Sequence, residues 1–261
     1  MGMALARSRA TLSAWIGADL RTPDYPPAPP GQTIYAVGDI HGRVDCLRRA
    51  HALIDRDAAA RGASAPTEVY IGDYVDRGPD SKGVIDLLTE RARAASPVFL
   101  RGNHELVMES FLSGRVDFAD WRPLGGLETI LSYGVDARAL LQRGRVEPRH
   151  LAEKMPLSHV RFLAGLQDLH TIGCYCFTHA GLRPGVAIAL QSEQDLAWIR
   201  KDFLAYRGSF GSVVVHGHTP TRRVDFRSNR INIDTGAYLT NRLSVLRIDA
   251  DGPAVLCEAA R

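Results

Sequence analysis

Ile34-Tyr35-Ala36-Val37-Gly38-Asp39-Ile40-His41-Gly42 is the stretch on which the fold reading turns. Four apolar residues are too few for a helix and suit a buried strand, closed by a glycine. Val44, Leu47, Ala50, Ile54 and Ala58 then recur every three or four positions, the spacing of one helix face. The unit repeats. Val69-Tyr70-Ile71 is closed by Gly72, a helix carrying Val84, Ile85 and Leu88 is entered through Pro79-Asp80-Ser81, and Val98-Phe99-Leu100 follows. Strand, helix, strand, helix, strand predicts an α/β fold with buried strands.

The remainder is less regular. Residues 1–31 form an N-terminal segment that ends in a proline-rich run, Pro23 to Pro30, and reads as a loose, flexible tail. Residues 32–261 form the main domain. Within it, 113–172 has several prolines and short helical patches, contributes no evident ligand, and reads as a wall or lid that selects substrate. Strands return at 174–178, 213–216, 231–233, 243–248 and 254–257, close enough together to predict a second or mixed sheet.

Composition limits the classes. The chain has 261 residues, 45% hydrophobic and 23% charged, enough to bury a core without disulfides or a structural metal. Its 32 Lys and Arg against 29 Asp and Glu leave a formal charge of only +3, so no nucleic-acid partner is expected. Cys46, Cys174, Cys176 and Cys257 form no CxxC pair. Cys174 and Cys176, two apart in an apolar run, are expected on one buried strand face. No run of 18 apolar residues occurs, so no membrane association is expected, and the reading is cytoplasmic.

The chemistry collects where strands end. Gly38-Asp39-Ile40-His41-Gly42, Gly72-Asp73-Tyr74-Val75-Asp76-Arg77-Gly78, Arg101-Gly102-Asn103-His104-Glu105, His179-Ala180-Gly181 and His216-Gly217-His218-Thr219-Pro220 each follow a strand. Sites in open α/β sheets form beyond the strands' carboxyl ends. Asp39, His41, Asp73, Asn103, His179 and His218 offer three oxygen and three imidazole ligands, a mixture suited to manganese, iron, zinc or cobalt. Six ligands fit two metals sharing a carboxylate, and Asp73, central in the set, is the expected bridge.

The first three blocks, in order and about thirty residues apart, resemble the signature blocks of the phosphoprotein phosphatase family of metallophosphoesterases. The two histidine blocks resemble those of its bacterial and phage branch. The resemblance covers roughly residues 32 to 250. It implies a four-layer α-β-β-α sandwich with the metal site at the strand carboxyl ends. It places one metal on Asp39, His41 and Asp73, and a second on Asp73, Asn103, His179 and His218. The metals would be Mn²⁺ first, with iron, zinc, cobalt or nickel as alternatives. It makes His104 the general acid, oriented by Asp76, and gives the phosphoryl oxygens to Arg77, Arg101 and, by a weaker match, Arg200. His216 matches no family ligand and is expected to be structural.

The activity this implies is hydrolysis of phosphomonoesters on Ser, Thr or Tyr side chains by a hydroxide between the metals. The partner would be a phosphoprotein or phosphopeptide, with no regulatory subunit implied. The first alternative is a diadenosine tetraphosphate-type hydrolase. The intact Asp76-Arg77-Gly78 and Glu105 favour the phosphatase. A phosphodiesterase or nuclease is a further alternative, opposed by Pro220 where such enzymes often carry a last histidine. A non-catalytic scaffold is opposed by the complete ligand set.

Overall fold

The computed structural model describes residues 23–256 apart from 64, 138–141 and 143–145. Two five-stranded mixed sheets lie face to face. The first runs β10-β9-β1-β2-β3 and the second β4-β5-β6-β8-β7. In the first, β1 (Ile34–Val37), β2 (Thr67–Tyr70) and β3 (Val98–Phe99) are parallel and are joined through α1 (Val44–Arg61) and α2 (Ser81–Ala94). β9 (Val245–Asp249) and β10 (Gly252–Leu256) add antiparallel strands beside β1. In the second sheet β5 (Tyr175–Thr178), β6 (Val213–His216) and β8 (Arg230–Asn232) are parallel, between the antiparallel edges β4 (Leu169–Ile172) and β7 (Asp225–Arg227).

Strand alternation builds the layers. Tyr35 and Val37 of β1 face α1 and α2, while Ile34 and Ala36 face the second sheet. Tyr175 and Phe177 of β5 point back at them, and Cys176 between them points outward. There it meets Leu196 of α8 (Glu193–Trp198) and Phe203 of α9 (Lys201–Ala205). Three apolar interfaces therefore hold four layers, as the family resemblance implied. Among the described residues no helix is long and apolar enough to cross a membrane.

The sequence pattern located the central strands and both crossover helices. Asp80 caps α2 by accepting the Gly83 N–H at 2.7 Å, in line with the start read there. It missed β4 and β7, which are short, half-exposed edges carrying polar residues. Cys174 departs from expectation. It lies in the tight turn before β5 and is exposed, so of these two only Cys176 is buried. Residues 1–22 of the expected tail lie outside the described residues. Of the rest, Ala28 is buried and its N–H bonds the Asp249 carbonyl, while the Tyr175 hydroxyl bonds the Pro26 carbonyl at 2.5 Å.

Between β3 and β4 come α3 (Asn103–Leu112), α4 (Phe118–Trp121) and α5 (Gly126–Ser132), with α6 (Pro148–Ala152) and α7 (Leu157–Ala164) after them. The loop after β2 is tied to the start of α3 by Glu105. Its fully buried carboxylate accepts backbone N–H groups from Asp73 and Gly102 at 2.9 Å, Tyr74 at 2.8 Å and Val75 at 3.2 Å. A Gln would set its NH₂ against N–H donors. Glu105→Gln should destabilise the protein by about 2–4 kcal/mol, read as a shift in the urea unfolding midpoint at constant slope.

Candidate metal centre

The six expected ligands converge at the carboxyl ends of β1, β2, β5 and β6 and at the start of α3. Their backbone is strained. His41, Asp73, Asp76, Arg77 and His218 have φ between 47° and 71°, leaving Asn241 as the one other described non-glycine residue with positive φ. Such strain persists only where surrounding structure imposes it. Gly217 lets the next block close in, since a Cβ there would stand 2.0 Å from Asp39 Oδ1.

Asp73 occupies the middle. Its Oδ2 lies 3.4 Å from His41 Nε2 and its Oδ1 3.3 Å from His179 Nε2, so each oxygen faces a different group. His41, Asp73 and His104 can converge on one ion, and Asp73, His179 and His218 on another. Asn103 Oδ1 sits 3.0 Å from His179 Nε2 and 2.8 Å from His218 Nδ1.

The tautomers make a cation fit. His41 Nδ1 bonds the Val75 carbonyl and His179 Nδ1 the Ile71 carbonyl, both at 2.9 Å. A carbonyl only accepts, so each neutral ring carries its proton on Nδ1 and turns a bare Nε2 lone pair inward. Those lone pairs face the Asp73 and Asn103 oxygens, acceptor against acceptor. Asp39 Oδ1 is buried with no hydrogen-bond partner. Two divalent ions sharing Asp73 would satisfy these atoms.

Protonation agrees. Burial pushes His41 down to about 3 and also lowers His179 and His218. His104 differs: burial lowers it, but the Asp73 and Asp76 carboxylates outweigh that and hold it above its ordinary value. Its Nδ1 is 2.7 Å from Asp76 Oδ2. Asp39 is pushed well up by burial and by the Asp234 and Asp73 charges.

The arginines divide. Arg77 Nη2 lies 3.1 Å from His104 Nε2, and Arg200 Nε donates to His218 Nε2 at 2.8 Å. Arg101 instead faces Glu109, Asp168 and Glu193 at 3.5–3.7 Å. His216 is fully buried against Phe203 and joins neither ligand group.

Four contributors were not anticipated. Trp121 Nε1 and Thr129 Oγ1 donate to Asp76, at 2.9 and 2.6 Å. Asp234 is buried beside Asp39, and burial raises its carboxyl to about 6. Tyr238 packs its ring edge-on to His41, with the Arg77 guanidinium 4.7 Å above its centroid. Asp234 had a signal: Ile231-Asn232-Ile233-Asp234-Thr235-Gly236 is another strand ending in Asp near Gly.

Residues 32–249 match the family model for the calcineurin-like phosphoesterases. The chain belongs to the calcineurin-like phosphoesterase family. Its members use a dinuclear divalent metal site, and the donor set above fits one. A protein of Halalkalibacterium halodurans named bis(5′-nucleosyl)-tetraphosphatase PrpE (asymmetrical) is 28% identical over 81% of this chain and 88% of its own. A namesake from Anoxybacillus flavithermus is 27% identical over the same shares. A solved structure provisionally described as a diadenosine tetraphosphatase superposes with a TM-score of 0.61 at 21% identity, covering 88% of this chain and 96% of that one. A cold-active protein tyrosine phosphatase superposes at 0.55 and 17% identity, covering 89% and 82%. The two structures speak to the fold alone.

The expectation of a protein phosphatase acting on a phosphoprotein is corrected by these relatives. The physical reason lies in the residues that favoured it. Glu105 gathers four backbone amides, and Asp76 is enclosed by Trp121, Thr129 and His104. Both hold the loops in place and do not choose a leaving group.

As a metal ligand Asp39 would have to be a carboxylate, whereas burial and the Asp234 and Asp73 charges favour its protonated form in the metal-free protein. Mn²⁺ binding should therefore release protons, and its affinity should fall as the pH is lowered. Calorimetry in buffers of differing ionisation enthalpy measures both.

Proposed function

We propose that this metallophosphoesterase hydrolyses dinucleoside tetraphosphates, diadenosine tetraphosphate being the type substrate. The reading rests on the tetraphosphatase relatives, which align over 81% of this chain and 88% of their own. Water attacks a phosphorus of the chain, a P–O–P bond breaks, and one nucleotide leaves on the bridging oxygen. The relatives' asymmetrical designation carries over as a nucleoside triphosphate and a nucleoside monophosphate as products.

Asp39, His41 and Asp73 would hold one divalent ion, and Asp73, Asn103, His179 and His218 the other. Mn²⁺ is the metal we propose. When bound, the ions supply Lewis acidity and neutralise phosphate charge. The protein's own groups do the rest. His104, kept protonated by Asp73 and Asp76, donates to the leaving oxygen. Arg77 donates to His104 Nε2 only while that atom lacks a proton, so the two compete as donors. A phosphate between them accepts from both. Arg77 and Arg200 grip the non-bridging oxygens, for which a planar guanidinium is well shaped. Arg101 would have to give up part of its carboxylate shell to join them.

The Mn²⁺-loaded protein should convert diadenosine tetraphosphate to ATP and AMP, resolved by ion-exchange chromatography. Phosphoserine, phosphothreonine and phosphotyrosine peptides run beside it, and turnover of peptides alone would sink the proposal. His104→Asn should lower kcat about 10²-fold, the small end of general-acid effects. A departing polyphosphate is a weaker base than an alkoxide and needs the proton less.

A further inference from the structure

A groove of about 1190 Å³ opens beside the metal centre, at the edge of the sandwich. Val255 and Leu256 of β10 line it from one sheet, and Val224 and Phe226 from the other. Leu256 pairs with Val245, and Val245 with Val37, so the groove sits at the same end of the strands as Asp39. Leu53 of α1 and Leu243 complete an apolar floor.

Its rim is basic. Arg49 and Arg56 stand two turns apart on α1, Arg222 and Arg223 follow the last histidine block, and Arg242 precedes β9. The described lining contains no Asp or Glu. Arg49 pairs with Asp45. The side chains of Arg56, Arg222, Arg223 and Arg242 make no hydrogen bond or ion pair among the described residues. Arg48, Arg93, Arg122 and Arg161 likewise show no such partner among the described residues, but none of them lines this concavity. Arg43, Arg61, Arg91, Arg183, Arg227 and Arg247 each meet a carboxylate.

Four guanidinium groups with no partner among the described residues, gathered around one concavity, repel each other and focus a positive potential into it. A bare anion would satisfy the rim but leave the floor wet. An apolar ligand would satisfy the floor but leave the charges unpaired. A nucleotide does both, with phosphates suited to guanidinium pairing and a flat base suited to apolar and aromatic surface.

We propose that this groove is a second nucleotide site, separate from the metal centre, with polyphosphate on the arginine rim and the base against Leu53, Phe226 and Leu243. The site does not depend on which substrate the metal centre cleaves.

The test is ATP binding to the full chain with divalent metals chelated, measured by calorimetry. Wild type and Asp73→Asn should bind ATP alike, because the groove does not use Asp73. The double variant Arg222→Glu, Arg242→Glu should bind at least tenfold more weakly, with an unchanged melting temperature showing that it folds. Inorganic tripolyphosphate should bind at least tenfold more weakly than ATP, since it lacks the base. The proposal fails if ATP does not bind, or if Asp73→Asn abolishes binding while the arginine variant keeps it. It fails equally if tripolyphosphate matches ATP. Should vesicles of anionic phospholipid or a single-stranded RNA bind the rim while ATP does not, the groove is a macromolecular surface and the nucleotide assignment falls.

Discussion

The metal centre depends on the backbone of Asp73 being held where an unassisted chain would not stay. Its φ of 53° is a left-handed conformation that a residue with a side chain adopts at a cost of about 1–3 kcal/mol. Four N–H groups on Glu105, three of them from this turn (Asp73, Tyr74 and Val75), offset that cost. Even at about 0.5–1.5 kcal/mol each, as for an ordinary hydrogen bond, the four together are enough to carry the strain. Gly102 is the reason the clamp can close. A Cβ there would stand 2.2 Å from Asp73 Oδ1 and 2.8 Å from Glu105 Oε2. The same glycine thus admits both the metal-facing oxygen and the oxygen that holds its backbone.

Around this clamp the fold gathers like with like. Asp39, Asp73 and Asp234 are buried within one cluster, and bare imidazole nitrogens face carboxylate and amide oxygens. Without ions, protons are the available remedy, which is why Asp39 and Asp234 are raised. The core of three apolar layers carries the cost of assembling such a site. Metal affinity and acid sensitivity are then two views of one repulsion.

The central strands and ligand blocks were legible because strand-glycine-polar units repeat with a fixed sense, and that sense delivers every block to one rim. Edge strands β4 and β7 were not legible, since half-exposed strands lack a continuous apolar run. Trp121 and Thr129 were not legible as site residues either. Trp121 packs against Phe111 and Phe118, as an apolar ring is expected to, but its indole N–H also reaches Asp76. Nothing local in the chain encodes a partner 45 residues away. Substrate class failed for a related reason. Asp76 and Glu105 were weighed as marks of a leaving group, whereas their contacts are with the protein's own backbone and side chains.

Those contacts also constrain how the region after α3 can act. Trp121 belongs to α4 and shares Asp76 Oδ2 with His104, while Thr129 of α5 donates to Oδ1. Asp76 sets the orientation and charge of His104. Any swing of α4 and α5 as a lid would break bonds of 2.6 and 2.9 Å to a fully buried carboxylate, leaving it under-solvated beside the imidazole. Such an exposure of a buried charge costs several kcal/mol. The bases of α4 and α5 therefore help to hold Asp76, and through it His104, in place. Movement in this region without that cost is confined to parts beyond these two anchors.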